Sequence, residues 1–336
     1  MTEPKIRAIV WGCGHMGQII IKYLKDKGVE LVGAIDRNVS RVGKDAGEIS
    51  ALKRSLGTFI HHPDEAKQVF HKANANVCII STRSLMIDIY DSLETSARHG
   101  VNAITLAEEA FYPWNTSPDL TQKLDKLAKE HNCTLTGSGF QDVFLGNLIS
   151  ILAAGTHRID RIQAIIQYNI DGYGSSVAAQ YGVGLSVEAF KQQISGYTEP
   201  FPSWYMNEWL CAHLGLAIRT QKQEFWPITN IKTIHSTSLK TDISVGSVTG
   251  MKAVVTTETE KGVIIENQVL GKIYTPDEID TYECTLVGEP TTTLTIHRPA
   301  TAQMTCASLV NRLQHLIDAP PGFVTTDKMQ PPNYWM

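Results

Sequence analysis

The stretch Ile6-Arg7-Ala8-Ile9-Val10-Trp11-Gly12-Cys13-Gly14-His15-Met16-Gly17 reads as an apolar strand running straight into three closely spaced glycines. A helical pattern follows, and a second apolar strand, Leu31-Val32-Gly33-Ala34-Ile35, ends at Asp36. Strand, glycine turn, helix, strand and acidic residue in that order form the dinucleotide-binding fingerprint. Each glycine meets a separate physical need. Gly12 permits the tight turn, Gly14 lets backbone approach a pyrophosphate, and Gly17 lets helix pack closely on strand. The phosphates then sit on the helix N-terminus at His15 and Met16, where unpaired N–H groups and the helix dipole favour negative charge. Asp36, about 20 residues beyond the glycines, is placed to accept hydrogen bonds from the adenosine ribose.

Working outward, the first 150 residues alternate short β-branched runs with helical segments, the pattern of a parallel sheet covered on both faces. Strands are predicted at 76–80, 102–106 and 134–137, and helices at 63–72, 86–99 and 118–131. Beyond Leu145 the texture changes to longer strands at 161–170, 251–257, 262–269, 282–287 and 291–297, which suggests a mostly antiparallel sheet. Helices are expected there at 187–195 and 206–220, the second on the helical spacing of Trp209, Leu210, Leu214 and Ile218. A last helix, 302–318, stops at Pro320-Pro321-Gly322. The fold class is therefore α/β: an N-terminal Rossmann doubly wound parallel sheet (1–145), an α+β domain for substrate and dimerisation (146–299), and a C-terminal helix and tail (300–336) returning to the first domain. The active cleft is expected between the two domains.

Composition narrows the classes. The chain has 336 residues, 43% of them hydrophobic, and a formal net charge of −4. Its basic residues are dispersed, which argues against nucleic acid as a partner. No apolar run is long enough to span a bilayer, and Met1-Thr2-Glu3-Pro4-Lys5 leads into a core strand rather than a signal peptide, so the expected location is the cytoplasm. Cys13, Cys78, Cys133, Cys211, Cys284 and Cys306 are scattered without a CxxC pair. They read as reduced, buried thiols, and no metal site is expected.

An aspartate at the ribose position disfavours a 2′-phosphate, but Arg37 and Arg41 follow it and can neutralise one. Either they do so, or they are solvated loop residues; use of both NAD and NADP is expected. Ser81 and Thr82, after a strand carboxyl end, lie where a doubly wound sheet opens its ligand crevice. They are candidates to contact the cofactor, with a plain hydroxyl-rich turn as the alternative. Strand 102–106 ends in Ala107-Glu108-Glu109-Ala110-Phe111-Tyr112-Pro113-Trp114, two carboxylates where a substrate meets the nicotinamide. Adjacent side chains on extended backbone diverge, so one of the pair is expected to enter the cleft. Both could instead cap the following turn. His213 and His297 are read as structural.

The glycine motif, Glu108-Glu109 with Tyr112-Pro113-Trp114, and the late Ala319-Pro320-Pro321-Gly322-Phe323-Val324-Thr325-Thr326 segment resemble the 2,4-diaminopentanoate dehydrogenases and their relatives, the native amine dehydrogenases. The resemblance runs through the whole chain and is weakest in the middle. It implies an N-terminal fold like that of dihydrodipicolinate reductase, a homodimer, and reversible NAD(P)-dependent interconversion of a small amine with a ketone or aldehyde plus ammonia. In the family, the glutamate matching Glu108 contacts the reacting nitrogen, and aromatics in the regions of Phe140, Tyr168, Tyr173 and Trp204 restrict the pocket to small substrates; ordinary core or interface packing is the alternative for these four, and Glu109 is a further candidate for the pocket. Two neighbouring families fit less well. The His61-His62 pair lies in the wrong half for a dihydrodipicolinate reductase, and the edge at Glu108 lacks the lysine of sugar-type oxidoreductases. The alternatives are 2,4-diaminopentanoate dehydrogenase activity on an amino acid and, from another class, a non-catalytic dinucleotide sensor.

Overall fold

The computed structural model describes residues 5–50 and 52–335; the expectation drawn from the residues before Lys5 lies outside them. Two compact units result, one of residues 1–147 with 300–336, the other of Leu148–Pro299.

In the first unit the chain runs β1 (Arg7–Trp11), α1 (His15–Asp26), β2 (Glu30–Ile35), α2 (Ala46–Ile49), β3 (Ile60–His61), α3 (Ala66–Ala73), β4 (Val77–Ile80), α4 (Met86–Arg98), β5 (Asn102–Thr105), α5 (Pro118–Glu130) and β6 (Thr134–Gly137). These strands pair in parallel in the order β6-β5-β4-β1-β2-β3. β4 is buried at every position, as a strand covered on both faces must be. Alternate residues feed opposite layers: Ile9, Trp11, Cys78 and Ile80 join α3, α4 and α5, whereas Ala8, Val10, Val77 and Ile79 join α1.

The second unit holds α6 (Leu148–Ala154), β7 (Arg158–Asn169), α7 (Ser175–Gln180), α8 (Val187–Gln193), α9 (Pro202–Leu214), β8 (Ile218–Thr229), β9 (Ile234–Ser236), β10 (Thr241–Ile243), β11 (Val248–Thr259), β12 (Ile264–Lys272), β13 (Thr281–Glu289) and β14 (Thr292–His297). Its six-stranded sheet has the order β14-β13-β7-β12-β11-β8. Every pairing is antiparallel except β7 with β12. α9 packs on it through Asn207, whose side-chain amide donates to Thr257 Oγ1 at 3.0 Å and to the Val255 and Ile265 carbonyls.

The helix expected over 206–220 needs correction. α9 starts earlier, at Pro202, and ends at Leu214, where Gly215 adopts a left-handed conformation (φ 64°) that closes the helix. Ile218 belongs to β8, which runs along the sheet edge, where Pro227 is tolerated because no ladder needs its missing N–H.

After Pro299 the chain returns to the first unit as α10 (Thr301–Asn311) and α11 (Leu313–Asp318), two helices where one is expected, then β15 (Gly322–Phe323), which adds beside β6. Cys306, Leu309, Val310, Leu313 and Leu316 complete the apolar layer that α1 begins. At the break between the helices Arg312 is fully buried and grips Asp142 at two points, Nε to Oδ2 at 2.9 Å and Nη2 to Oδ1 at 2.7 Å. Ser138 Oγ and Asn147 Nδ2 also donate to that carboxylate, and Arg312 donates to the Gln330 carbonyl.

Removing one partner strands a buried charge, so Asp142→Ala should lower unfolding free energy by about 3–5 kcal/mol. A denaturant titration in which the midpoint barely moves would contradict this.

Candidate dinucleotide and acid–base site

The carboxyl ends of β1, β4, β5 and β6 lie side by side, and backbone hydrogen bonds continue the ladder into the loops that follow. Ser81 N–H donates to the Trp11 carbonyl (2.8 Å), Leu106 N–H to Ile80 (3.1 Å) and Ser138 N–H to Thr105 (3.0 Å). The glycine loop, the Ser81–Ser84 loop and the Glu108 turn therefore form one continuous edge.

In the glycine loop, Gly12 has φ +104°, and a Cβ there would lie 2.6 Å from the Ser81 carbonyl oxygen. A Cβ on Gly17 would lie 1.9 Å from the Gly12 carbonyl oxygen, which is why the helix can sit so close to the strand. Gly14 differs: its Cβ direction meets only Arg41 Nη1, at 3.9 Å. Open space above Gly14, with α1 behind it carrying no side-chain cap and no acidic residue in its first turn, suits a pyrophosphate. His15 is exposed there and Met16 half-buried.

Asp36 is buried (6% exposed) and well occupied. Its Oδ2 accepts from Cys13 N–H (2.7 Å) and Arg41 Nη1 (3.2 Å), and its Oδ1 from Asn38 N–H (2.7 Å). The carboxylate thus braces the glycine loop. Arg41 lies close to both Asp36 and Gly14, whereas Arg37 is exposed. Ser81 donates its hydroxyl to the Gly12 carbonyl (2.8 Å), fixing the loop, and Thr82 is exposed beside it. Cys13, although inside the loop, is inert: burial and the neighbouring Asp36 push its thiol up to about 12. Burial likewise raises the thiols of Cys78, Cys211 and Cys306 to about 12 and those of Cys133 and Cys284 to about 11. Among the described residues no group of three or more His, Cys, Asp or Glu is placed to hold a metal, and no helix is long and apolar enough to cross a membrane.

Glu108 opens the 3-10 turn Glu109–Phe111. This turn lies so close to β6 that a Cβ on Gly137 would come within 2.4 Å of the Ala110 backbone. Withdrawal from water raises the Glu108 carboxyl above the usual carboxylate range, against smaller lowering effects from the Ser84 side chain and its own N–H. Glu109 turns elsewhere, its carboxylate accepting from Met86 N–H (2.6 Å), Thr116 Oγ1 (2.9 Å) and Ser117 Oγ (2.6 Å).

Phe140, 7% exposed at the end of β6, stacks on Phe144 with centroids 4.4 Å apart. Phe144 belongs to a π-helical turn, Gln141–Asn147, which sequence periodicity does not reveal. In the second unit Tyr168 packs edge-on against Tyr173 (5.6 Å) and shares a hydroxyl hydrogen bond with Tyr181 (2.5 Å). Trp204 lies on α9 and donates its indole N–H to Glu208 (3.1 Å). Tyr181 is the member of this group that sequence reading passes over; its place after α7 carries no periodic signal.

Fold and edge together define a dinucleotide-binding α/β protein with a second, sheet-based unit. The chain belongs to the 2,4-diaminopentanoate dehydrogenase family: the model of that family's C-terminal domain matches residues 143–336, and the model of the dihydrodipicolinate reductase N-terminus matches 6–105. An amine dehydrogenase structure from Mycobacterium smegmatis superposes with a TM-score of 0.90 at 37% identity, covering 99% of this chain and 98% of that one. A 2,4-diaminopentanoate dehydrogenase from Acetoanaerobium sticklandii is 27% identical over 56% of this chain and 54% of its own length. An amine dehydrogenase from Streptomyces virginiae is 25% identical over 54% and 52%. The aligned stretch thus spans about half the length of these curated relatives.

The glycine geometry separates two variants. Gly14→Ala should leave thermal stability nearly unchanged yet weaken NADPH binding at least tenfold, about 1.4 kcal/mol. Gly17→Ala should lose stability and binding together. Melting curves with a fluorescence titration distinguish them, and equal losses of stability in both would refute the assignment of Gly14.

Proposed function

We propose that the chain is an NAD(P)-dependent amine dehydrogenase that reversibly converts a small primary amine and water, with NAD(P)+ as the oxidant, into a ketone or aldehyde plus ammonia and NAD(P)H. The observation that carries this reading is Glu108, a carboxyl with a raised pKa on the edge that continues from the glycine loop. The family membership supports it.

In this reading the first-turn N–H groups of α1, with Gly14, hold the pyrophosphate, and Asp36 accepts from the adenosine ribose. Arg41 pairs with Asp36 when the 2′ position is a hydroxyl and with a 2′-phosphate when one is present, so both NADH and NADPH serve. The nicotinamide, when bound, exchanges a hydride with the substrate carbon. Glu108 takes a proton from the substrate ammonium, because only the free amine gives up hydride readily. In the opposite direction its charge stabilises the iminium cation in a medium of low dielectric. Phe140, and in the second unit Tyr168, Tyr173 and Trp204, are proposed as substrate-contacting residues on the resemblance. The homodimer is assigned to the six-stranded sheet, whose half-buried or exposed face carries Ile165, Trp226, Val254 and Leu270; light scattering at one chain mass would reject it.

A second reading, 2,4-diaminopentanoate dehydrogenase activity, has its own support in the family model and in Arg83, an exposed cation on the same loop as Ser84 that could meet a substrate carboxylate.

The test is oxidation of NADH and NADPH with concentrated ammonium, comparing small ketones and aldehydes with 2-amino-4-oxopentanoate and omitting ammonium as control. Ammonium-dependent turnover of simple carbonyls is expected; turnover of the amino acid alone supports the second reading, and cofactor binding without turnover supports a sensor. Glu108→Ala should lower turnover by about 10²–10⁴-fold with NADPH binding intact. Because the base form exists only above the raised pKa, kcat/KM for deamination should increase with pH through that value. Arg41→Ala should weaken NADPH more than NADH, and equal weakening would remove Arg41 from 2′-phosphate recognition.

A further inference from the structure

Asp171 lies in the turn Ile170–Tyr173 that follows β7, and its carboxylate is fastened to a segment that begins 65 residues further on, at Ser236. Its Oδ1 accepts the Ser236 hydroxyl (2.8 Å) and the Ser238 N–H (3.1 Å), and its Oδ2 accepts the Thr237 N–H (2.8 Å) and hydroxyl (2.6 Å). These donors belong to the end of β9 and the turn that leads to β10, a two-stranded ribbon separate from the six-stranded sheet. Such a ribbon is marginal by itself and has to be held by its neighbours. Ile234 and Ile243 seat its strands in the apolar cluster of Tyr181, Phe190 and Phe225, against which Tyr168 also packs, and Asp171 holds its turn. Burial raises the Asp171 carboxyl, yet the hydroxyls of Thr237 and Ser236 and the N–H groups of Thr237 and Ser238 together hold it well below the usual carboxylate range.

The same turn carries Tyr173. It is 44% exposed, so part of its ring stays open to a ligand, and it meets Tyr168 edge-on at 5.6 Å. Tyr173 stands between Gly172 and Gly174, and a Cβ on either glycine would meet nothing within 4 Å. Close packing does not demand these glycines, and the backbone on both sides of Tyr173 keeps their freedom. Ties beside it limit that freedom: Asn169 Oδ1 accepts the Asp171 N–H (3.0 Å), and the Asp171 carboxylate is locked on the hairpin.

We infer that Asp171 is a positioning residue for substrate selection: by tying the 170–173 turn to the β9–β10 hairpin it fixes Tyr173 against Tyr168. The inference rests on the reading of Tyr168 and Tyr173 as residues that contact the substrate. A ring held in place loses little freedom when a ligand arrives, so it keeps its contact with a short side chain. A ring released from its anchor gives up that contact and makes way for a longer chain.

Fluorine NMR of protein labelled with fluorotyrosine follows the Tyr173 ring, with Tyr173→Phe identifying its signal by loss. Asp171→Ala should move that signal towards the position of a solvent-exposed tyrosine. With ammonium saturating, the same variant should raise KM for a short-chain ketone about threefold to tenfold, more than it changes kcat, and should lower the preference for short-chain over long-chain ketones. In a Tyr173→Ala background Asp171→Ala should raise KM no further, since it acts through that ring. Asp171→Asn keeps an oxygen for Ser236 and Ser238 and should restore most of the parent's KM. Thr237→Val removes one hydroxyl donor and should move the Tyr173 signal the same way by less, which covers the case in which Asp171→Ala fails to fold. An unmoved Tyr173 signal in these variants, or an undiminished rise in KM in the Tyr173→Ala background, would overturn the positioning role. Because the NMR needs no turnover, failure of the pocket reading is separate: it is recorded when Tyr173→Ala leaves KM of every ketone at the parent's value while Asp171→Ala still moves the Tyr173 signal.

Discussion

The ion pair between Asp142 and Arg312 is the constraint on which the dinucleotide-binding unit depends. Both side chains are fully buried, and such burial is favourable only when geometry is good and every remaining donor and acceptor is met. Here the guanidinium binds both carboxylate oxygens, Ser138 and Asn147 supply further donors, and the Gln330 carbonyl takes another guanidinium N–H. The pair joins the turn after β6, where the chain leaves this unit, to the α10–α11 break, where it has come back. Without α10 and α11 the face built by Ala8, Val10, Val77 and Ile79 would lack much of its cover. A sheet buried on both faces can therefore be completed by residues that follow the whole of the second unit in the chain.

Close backbone contact is the second condition, and glycine supplies it at three points along one edge. Gly17 lets α1 meet the Gly12 carbonyl, Gly12 lets the loop pass Ser81, and Gly137 lets the 109–111 turn lie against β6. The first two belong to the fingerprint for binding phosphate. Gly137 does the equivalent for Glu108, because a methyl group there would push the turn away from the sheet. The glycine loop and the Glu108 turn thus owe their positions to the same device, the omission of a side chain where two backbones must touch.

Much of this edge was legible in the sequence because its signals are local. Gly12, Gly14, Gly17, the strand before them and Asp36 all lie within one strand–helix–strand unit, so spacing alone identifies them. The unread parts depend on residues far apart or on competing periodicities. Trp209, Leu210, Leu214 and Ile218 share helical spacing, yet Gly215 ends the helix between the last two, and Ile218 continues as a strand. Asp142 and Arg312 carry no mutual spacing, and the parallel pairing of β7 with β12 joins strands that other strands separate in the chain. That Asp36 braces the backbone of Cys13, and that Glu109 holds Met86, follow from three-dimensional neighbours that no pattern announces.

The two ends of the edge also differ in how their negative charge is met, and that difference bears on chemistry. Asp36 faces a guanidinium and two backbone N–H groups, so its charge is already compensated within the fold. In the proposed reading a phosphate added nearby meets Arg41 rather than a bare anion. At Glu108 the lowering effects come from neutral groups, the Ser84 side chain and its own N–H, and withdrawal from water outweighs both. Neutral donors stabilise an anion without cancelling its field. In the proposed reading the charge of Glu108 is met by a cation entering from outside the fold, the substrate ammonium or iminium. Compensated charge at Asp36 and uncompensated charge at Glu108 is the arrangement the proposed function requires, since it has a polyanion and an amine bound on one strand edge.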